Sequence, residues 1–182
     1  VNTLQTSRGC PFSCNFCPTA KLFGGSYRTR SIDAVIADIR ARRHLSPFFF
    51  VVDNSFMGDR AHAVELLRRL ARERLDIALT VFERHEIGLD DEMLKLLRRA
   101  GVRCIIVGIE SLEDANLPAY NKRQSSAQAI RAVENIRRHD MHVIGTFVIG
   151  GDDDTASAGD RIARFVTETG ISLNLFIVHD LE

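Results

Sequence analysis

Five consecutive apolar residues, Phe48-Phe49-Phe50-Val51-Val52, constrain the fold more than any other stretch of this 182-residue chain. A run of that length suits a strand buried on both faces, as in a parallel sheet covered by helices. Comparable strands are predicted at Asn2–Thr6, Asp76–Phe82, Val102–Ile109, Met141–Ile149 and Leu173–Val178. Helical patterns lie between them. One is capped by Ser31 and carries Ile32, Val35, Ile36 and Ile39 inward. Others span Asp59–Arg74 and Asp90–Ala100, begin near Ser125 or Ser126, and open at Thr155 to close at Gly170. Strand and helix thus alternate through six strands and five crossovers, which predicts an α/β fold with a parallel sheet. Right-handed crossovers would curl such a sheet toward a barrel. The alternation by itself fits an open doubly wound sheet equally well.

Three of the four cysteines, Cys10, Cys14 and Cys17, follow the first strand with spacing C-x3-C-x2-C. Three thiolates can hold three irons of a [4Fe–4S] cluster and leave the fourth iron open to a small molecule. A structural zinc site would want four protein ligands, and the next candidates in the chain, His44 and Cys104, are not at finger-like spacing. Disulfide formation would leave one thiol over. A non-catalytic iron–sulfur or zinc-binding α/β module, and an α/β scaffold with incidental cysteines, are the alternatives to an enzyme. Cys104, inside Cys104-Ile105-Ile106-Val107, reads as a small buried hydrophobe.

The cysteine spacing, with Phe16 just before the third cysteine, resembles the cluster motif of the radical S-adenosylmethionine (radical SAM) superfamily. Four segments are similar to the branch that carries an N-terminal cobalamin-binding domain. They are Arg8-Gly9-Cys10-Pro11-Phe12-Ser13-Cys14-Asn15-Phe16-Cys17, Tyr27-Arg28-Thr29-Arg30-Ser31, Asp53-Asn54-Ser55-Phe56 and Gly108-Ile109-Glu110-Ser111. The resemblance implies a partial (β/α)6, TIM-like barrel of parallel strands. It implies that Cys10, Cys14 and Cys17 hold the cluster, whose open iron chelates S-adenosylmethionine through its amino and carboxylate groups. Reductive cleavage would then give methionine and, in most members, a 5′-deoxyadenosyl radical. Methylation, cyclisation or rearrangement of a small-molecule substrate would follow, with cobalamin as a possible relay from a domain outside these residues. The electron would come from a donor such as flavodoxin or ferredoxin.

Reactive groups in parallel barrels gather where strands end, and here those ends are polar or glycine-rich. By the resemblance, Phe16 packs near the adenine. The family's usual Gly-Gly-Glu-type motif after the second strand is missing; Asp53, with Asn54 beside it, offers an acceptor for the methionyl amino group, or caps the turn. Glu110 matches the ribose-contact position, and Ser111 either assists or caps the following helix. Gly145 and Gly150 belong to the segment Gly145–Gly151, expected to lie along the adenosine. Lys122 or Arg123 is a candidate partner for the methionyl carboxylate. Glu83, Arg84 and His85 follow the third strand and can face substrate. The segment Lys21–Arg30 reads as a long loop, in which Arg28 and Arg30 make surface salt bridges or grip an anion.

Lys+Arg and Asp+Glu each number 24, so no overall basic field argues for nucleic acid or an anionic membrane. The longest apolar run, Pro47–Val52, is far short of the roughly 20 residues of a membrane span. Few cysteines and an exposed iron–sulfur loop suit a reducing cytoplasm. Beginning at Val1 within a strand and ending at Leu181-Glu182 just after another, residues 1–182 are expected to be one radical SAM core domain from a longer protein.

Overall fold

The computed structural model describes residues 1–122, 124–151 and 153–177. Six strands form one sheet: β1 (Asn2–Leu4), β4 (Phe48–Val51), β5 (Ala78–Arg84), β6 (Val102–Glu110), β7 (His142–Ile149) and β8 (Ser172–Ile177). Strands β2 (Ser7–Gly9) and β3 (Tyr27–Thr29) form a separate antiparallel ribbon. Helices α1 (Thr19–Leu22), α2 (Ile32–Arg42), α3 (Arg60–Glu73), α4 (Asp91–Ala100), α5 (Asn116–Ala119), α6 (Ser126–Arg138) and α7 (Ala158–Thr169) supply the crossovers.

The order β1-β4-β5-β6-β7-β8 is the order in sequence, and every pairing is parallel. A doubly wound sheet reverses its order at a switch point; this one does not. Crossovers of one hand then put the helices on a single face, and the sheet curls into a half-barrel.

Convex-side residues Phe49, Leu79, Ile105, Val143 and Phe147 pack under Ile36 and Ile39 of α2, Leu67 of α3, Leu97 of α4, Val133 of α6 and Phe165 of α7. Each of these helices presents an apolar stripe at 3.6-residue spacing. Ser31, Asp59, Asp90 and Ser125 cap α2, α3, α4 and α6 by accepting a backbone N–H.

The expectation that Phe48–Val52 is buried on both faces needs correction. Phe49 and Val51 are buried, whereas Phe48 is 58% exposed and Val52 38%. These side chains alternate across the sheet, and the concave face of a half-barrel is open, so only the helix-covered set is sealed. Cys104 is half-buried on that concave side.

Other boundaries also move. The first strand stops at Leu4, because Thr6 turns the chain toward the ribbon. The third sheet strand runs on through Glu83 and Arg84. The expected loop Lys21–Arg30 contains β3. Helix α7 starts at Ala158 rather than Thr155. Strand β8 is described to Ile177, and Val178, Arg123 and Asp152 lie outside the described residues.

Candidate active site

The cysteine loop is positioned from below, from its N-terminal side and from above. Below it, the Asp53 carboxylate accepts from Thr6 N (2.8 Å), Thr6 Oγ1 and Ser7 Oγ (2.7 Å), tying the end of β4 to the start of the loop. On its N-terminal side, the ribbon pairs Ser7 with Thr29, Arg8 with Arg28 and Gly9 with Tyr27. Gly9 has φ +98°, and a Cβ there would overlap the Ser26 carbonyl oxygen. Above it, the α5 segment holds the loop down. Asn15 Nδ2 donates to Ala119 O (2.8 Å), Asn121 Nδ2 donates to Ser13 O (2.8 Å), and Phe16 meets the Tyr120 ring edge-on at 5.4 Å.

Cys10, Cys14 and Cys17 open on a cavity of about 160 Å³, walled by Asn54, Ser55, Phe82, Glu83, Arg84, Gly108, Glu110, Lys122 and Thr146. A second lobe of about 500 Å³ continues past Phe16, Cys17, Asn54 and Glu110 toward Val148, Phe176 and Ile177, and is mainly apolar. Glu110 ends β6 at φ +66°, where the register with β7 slips. That bend turns its carboxylate onto Lys122 Nζ at 2.7 Å, with both side chains almost fully buried. Gly108 makes room for them: a Cβ there would sit 2.5 Å from Glu110 Oε1.

Burial raises the Cys10 and Cys14 thiols, and the nearby Lys122 and Arg84 cations pull Cys14 back toward the thiolate. Burial likewise raises Glu83, although it accepts from Met57 N (2.7 Å), Arg84 N (2.8 Å) and Ser55 Oγ (3.2 Å). The Arg84 guanidinium lies 4.4 Å over the Phe12 ring and is forked onto Glu86. Burial pushes Glu86 upward, but the His85 ring nitrogen 3.1 Å away and the hydrogen bonds from Arg84 outweigh it and hold the carboxyl well below its ordinary range.

Of the residues expected from sequence, the three cysteines, Phe16, Asn54, Glu110 and Lys122 line this chamber. Asp53, Ser111, Gly145 and Gly150 do not line either lobe. Asp53 lies beneath the loop, and the buried Ser111 Oγ accepts from Glu113 N. Gly145 faces Ile109, Ile171 and Phe147 on the packed side. Gly150 N donates to Asp154 Oδ2 at 2.7 Å. In the Gly145 segment it is the alternate residues, Thr146 and Val148, that reach the chamber. Strand period two, counted from the helix-facing Val143 and Phe147, would have selected them. Ser55 and Tyr120 carried no comparable signal.

The donor set suits a cubane cluster. The three thiols are free, half-buried and on one loop flanked by Phe12 and Phe16. Among the described residues no three His, Cys, Asp or Glu side chains converge as one metal ion requires. A [4Fe–4S] cluster instead takes its thiolates on separate irons.

Comparison with known proteins agrees with this geometry. The profile of the Radical SAM superfamily matches residues 4–166. Bacteriochlorophyllide d C-12(1)-methyltransferase of Chlorobaculum tepidum is 28% identical over 183 residues, covering 95% of this chain and 39% of that protein. Hopanoid C-2 methylase of Rhodopseudomonas palustris is 27% identical over 180 residues, covering 95% and 34%. The chain therefore spans well under half the length of these curated relatives. In fold, it matches the radical S-adenosylmethionine methyltransferase TsrM of Kitasatospora setae, solved with cobalamin and a [4Fe-4S] cluster, at a TM-score of 0.86. That match has 19% identity and covers 97% of this chain and 34% of that one. The cobalamin-dependent S-adenosylmethionine radical enzyme OxsB matches at 0.75, with 24% identity over 98% of this chain and 28% of that one. Members of the matched superfamily use a [4Fe–4S] cluster and S-adenosylmethionine. With three loop cysteines opening on a half-barrel chamber and a profile match across almost its whole length, the chain belongs to the radical SAM superfamily.

Proposed function

We propose that this chain is the catalytic core of an enzyme that reductively cleaves S-adenosylmethionine and directs the resulting radical chemistry to a small-molecule substrate. One observation carries the reading: the three loop cysteines share a chamber with an acceptor, Asn54, and with a buried Glu110–Lys122 pair. When bound, the cluster supplies the electron that breaks a carbon–sulfur bond of the sulfonium.

The chain's own residues bind, orient and exclude water. Cys10, Cys14 and Cys17 hold the cluster. The Asn54 side-chain oxygen accepts from the methionyl amino group, Lys122 pairs with the carboxylate, and Glu110 accepts from the ribose hydroxyls. Phe16, with Val148 and Ile177, gives the adenine an apolar bed. Asp53 acts from behind the wall, fixing the loop's origin through Thr6 and Ser7. Gly145, Gly150 and Ser111 shape the backbone that carries the wall residues.

For the whole protein we propose a methyl transfer, cyclisation or rearrangement assisted by cobalamin from a further domain. The similarity to named methylases and to cobalamin-dependent structures supports this. A flavodoxin or ferredoxin in a reducing cytoplasm is the electron source in this proposal. Among the described residues no helix is long and apolar enough to cross a membrane.

The test is anaerobic reconstitution with iron and sulfide, reduction, and electron paramagnetic resonance with and without S-adenosylmethionine. A [4Fe–4S]+ signal that shifts on adding the ligand, and that is lost in the Cys10→Ser, Cys14→Ser and Cys17→Ser variants, is the expected result. An unchanged cluster in all three variants would sink the reading.

A further inference from the structure

The first thirty residues contain Arg8, Lys21, Arg28 and Arg30 and not one Asp or Glu, in a chain whose overall charge is zero. Arg30 is answered by Asp38 at 3.1 Å. The other three cations are exposed and have no carboxylate partner among the described residues. Two of them are opposed: the β2–β3 register puts Arg8 directly across from Arg28, on one face of the ribbon. Like charges in that position repel. The Arg8 guanidinium lies 5.5 Å from the Phe23 ring. Leu22, which precedes Phe23 at the end of α1, is 75% exposed.

This face adjoins the cysteines at both ends. Gly9 of the ribbon precedes Cys10, and Cys17 Sγ meets Thr19 Oγ1 of α1 at 3.3 Å. A cationic, partly apolar surface attracts an acidic partner and accelerates encounter with it. The reaction proposed above needs such a visitor for each turnover, because one electron must enter through this loop.

Resting on that reading, we infer that the face formed by Arg8, Lys21, Leu22 and Arg28 docks a small acidic one-electron carrier protein against the cysteine loop. The carrier gives up one electron and is itself oxidised by one. The cluster is reduced by one, and no atom or proton need cross.

The test uses the whole enzyme with its cluster reconstituted. Reduction by flavodoxin hydroquinone is followed by freeze-quench electron paramagnetic resonance at several salt concentrations, with dithionite as the small-molecule comparison. Arg8→Glu/Arg28→Glu is expected to slow flavodoxin-driven reduction by about tenfold or more at low salt and to flatten its salt dependence. Arg8→Gln/Arg28→Gln gives a smaller loss and Lys21→Glu adds to it, while the dithionite rate stays at the wild-type value and reports an intact fold. Flavodoxin rates that ignore the charge reversals, in a wild type that dithionite reduces, overturn this inference alone. They do so equally if the face is bare or is covered by another part of the polypeptide. A wild type that dithionite cannot reduce overturns the cofactor reading and this inference with it.

Discussion

Lys122 Nζ sits 2.7 Å from Glu110 Oε1, an ion pair sealed beside three half-buried thiols. The sequence separates the two by eleven intervening residues and a broken helix, and the fold closes that gap with the φ +66° bend at Glu110. A pair removed from water this thoroughly is weak evidence for stability, since desolvation offsets much of its Coulomb gain. Its retention at the chamber wall fits a binding role, with each charge poised for a different end of one ligand.

That argument separates single from double replacements. Lys122→Met or Glu110→Gln alone leaves a buried charge unanswered and should cost about 3–5 kcal/mol. Lys122→Met/Glu110→Met should recover most of this in denaturant unfolding. The double variant should nonetheless show no S-adenosylmethionine binding by calorimetry. Retained binding in the double variant would move the ligand's contacts elsewhere.

Asp53 makes a different prediction from a ligand contact. Its carboxylate receives Thr6 N, Thr6 Oγ1 and Ser7 Oγ, and hydrogen bonds to a charged group contribute about 1.5–3 kcal/mol each. Asp53→Ala should therefore lower the iron content per chain and the melting temperature together. The fraction that still carries a cluster should bind S-adenosylmethionine with nearly wild-type affinity. A large affinity loss at full iron content would mean that Asp53 touches the ligand itself.

Strand–helix alternation and the cysteine spacing were legible because both rest on local pattern. The cap at Ser31 follows from a short stretch read by itself, whereas the six-strand order and the chamber residues Glu110 and Lys122 came from the family resemblance. What escaped depends on tertiary partners. Tyr27–Thr29 has little strand pattern of its own and becomes β3 only because Ser7–Gly9 lies alongside. The half-exposed Phe50 and Phe82 rings, meeting at 5.4 Å, could not be told from core, because residue type does not say that the barrel stops half-closed. Gly145 was singled out because its segment resembles one that lies along the adenosine, while strand geometry gives the chamber to its neighbour Thr146.

Gly9 offers a sharp test of the ribbon. At φ +98° any side chain is strained, and a Cβ would overlap the Ser26 carbonyl oxygen across the strand pair. Gly9→Ala should destabilise by roughly 1–2 kcal/mol for the left-handed backbone alone, and by more once the ribbon parts. Cluster loading should fall with it, since Cys10 is the next residue. By contrast, Gly24→Ala faces open space at φ +58° and should show only the backbone cost. Comparing the two by thermal melts and iron analysis isolates the ribbon's contribution.

The acid side of the stability profile should be set partly by Asp90. Its carboxylate caps α4 through Met93 N at 3.0 Å and pairs with Arg60 Nη2 at 2.5 Å, and these interactions hold it below the ordinary aspartate range. A carboxyl whose folded pKa is depressed adds stability that is complete above its unfolded pKa and disappears as pH falls through the folded one. Asp90→Ala should cost about 1 kcal/mol at neutral pH. It should cost progressively less below about pH 4, where the unfolded carboxyl takes up a proton while the folded one stays charged until lower pH. Arg60→Ala should give a shallower version of the same profile, since an exposed pair is screened by solvent and the Met93 cap survives. Denaturant unfolding of the three proteins from pH 7 down to the limit of solubility measures this. A constant Asp90→Ala deficit across that range would show that the cap acts through its neutral form and that the Arg60 charge contributes nothing.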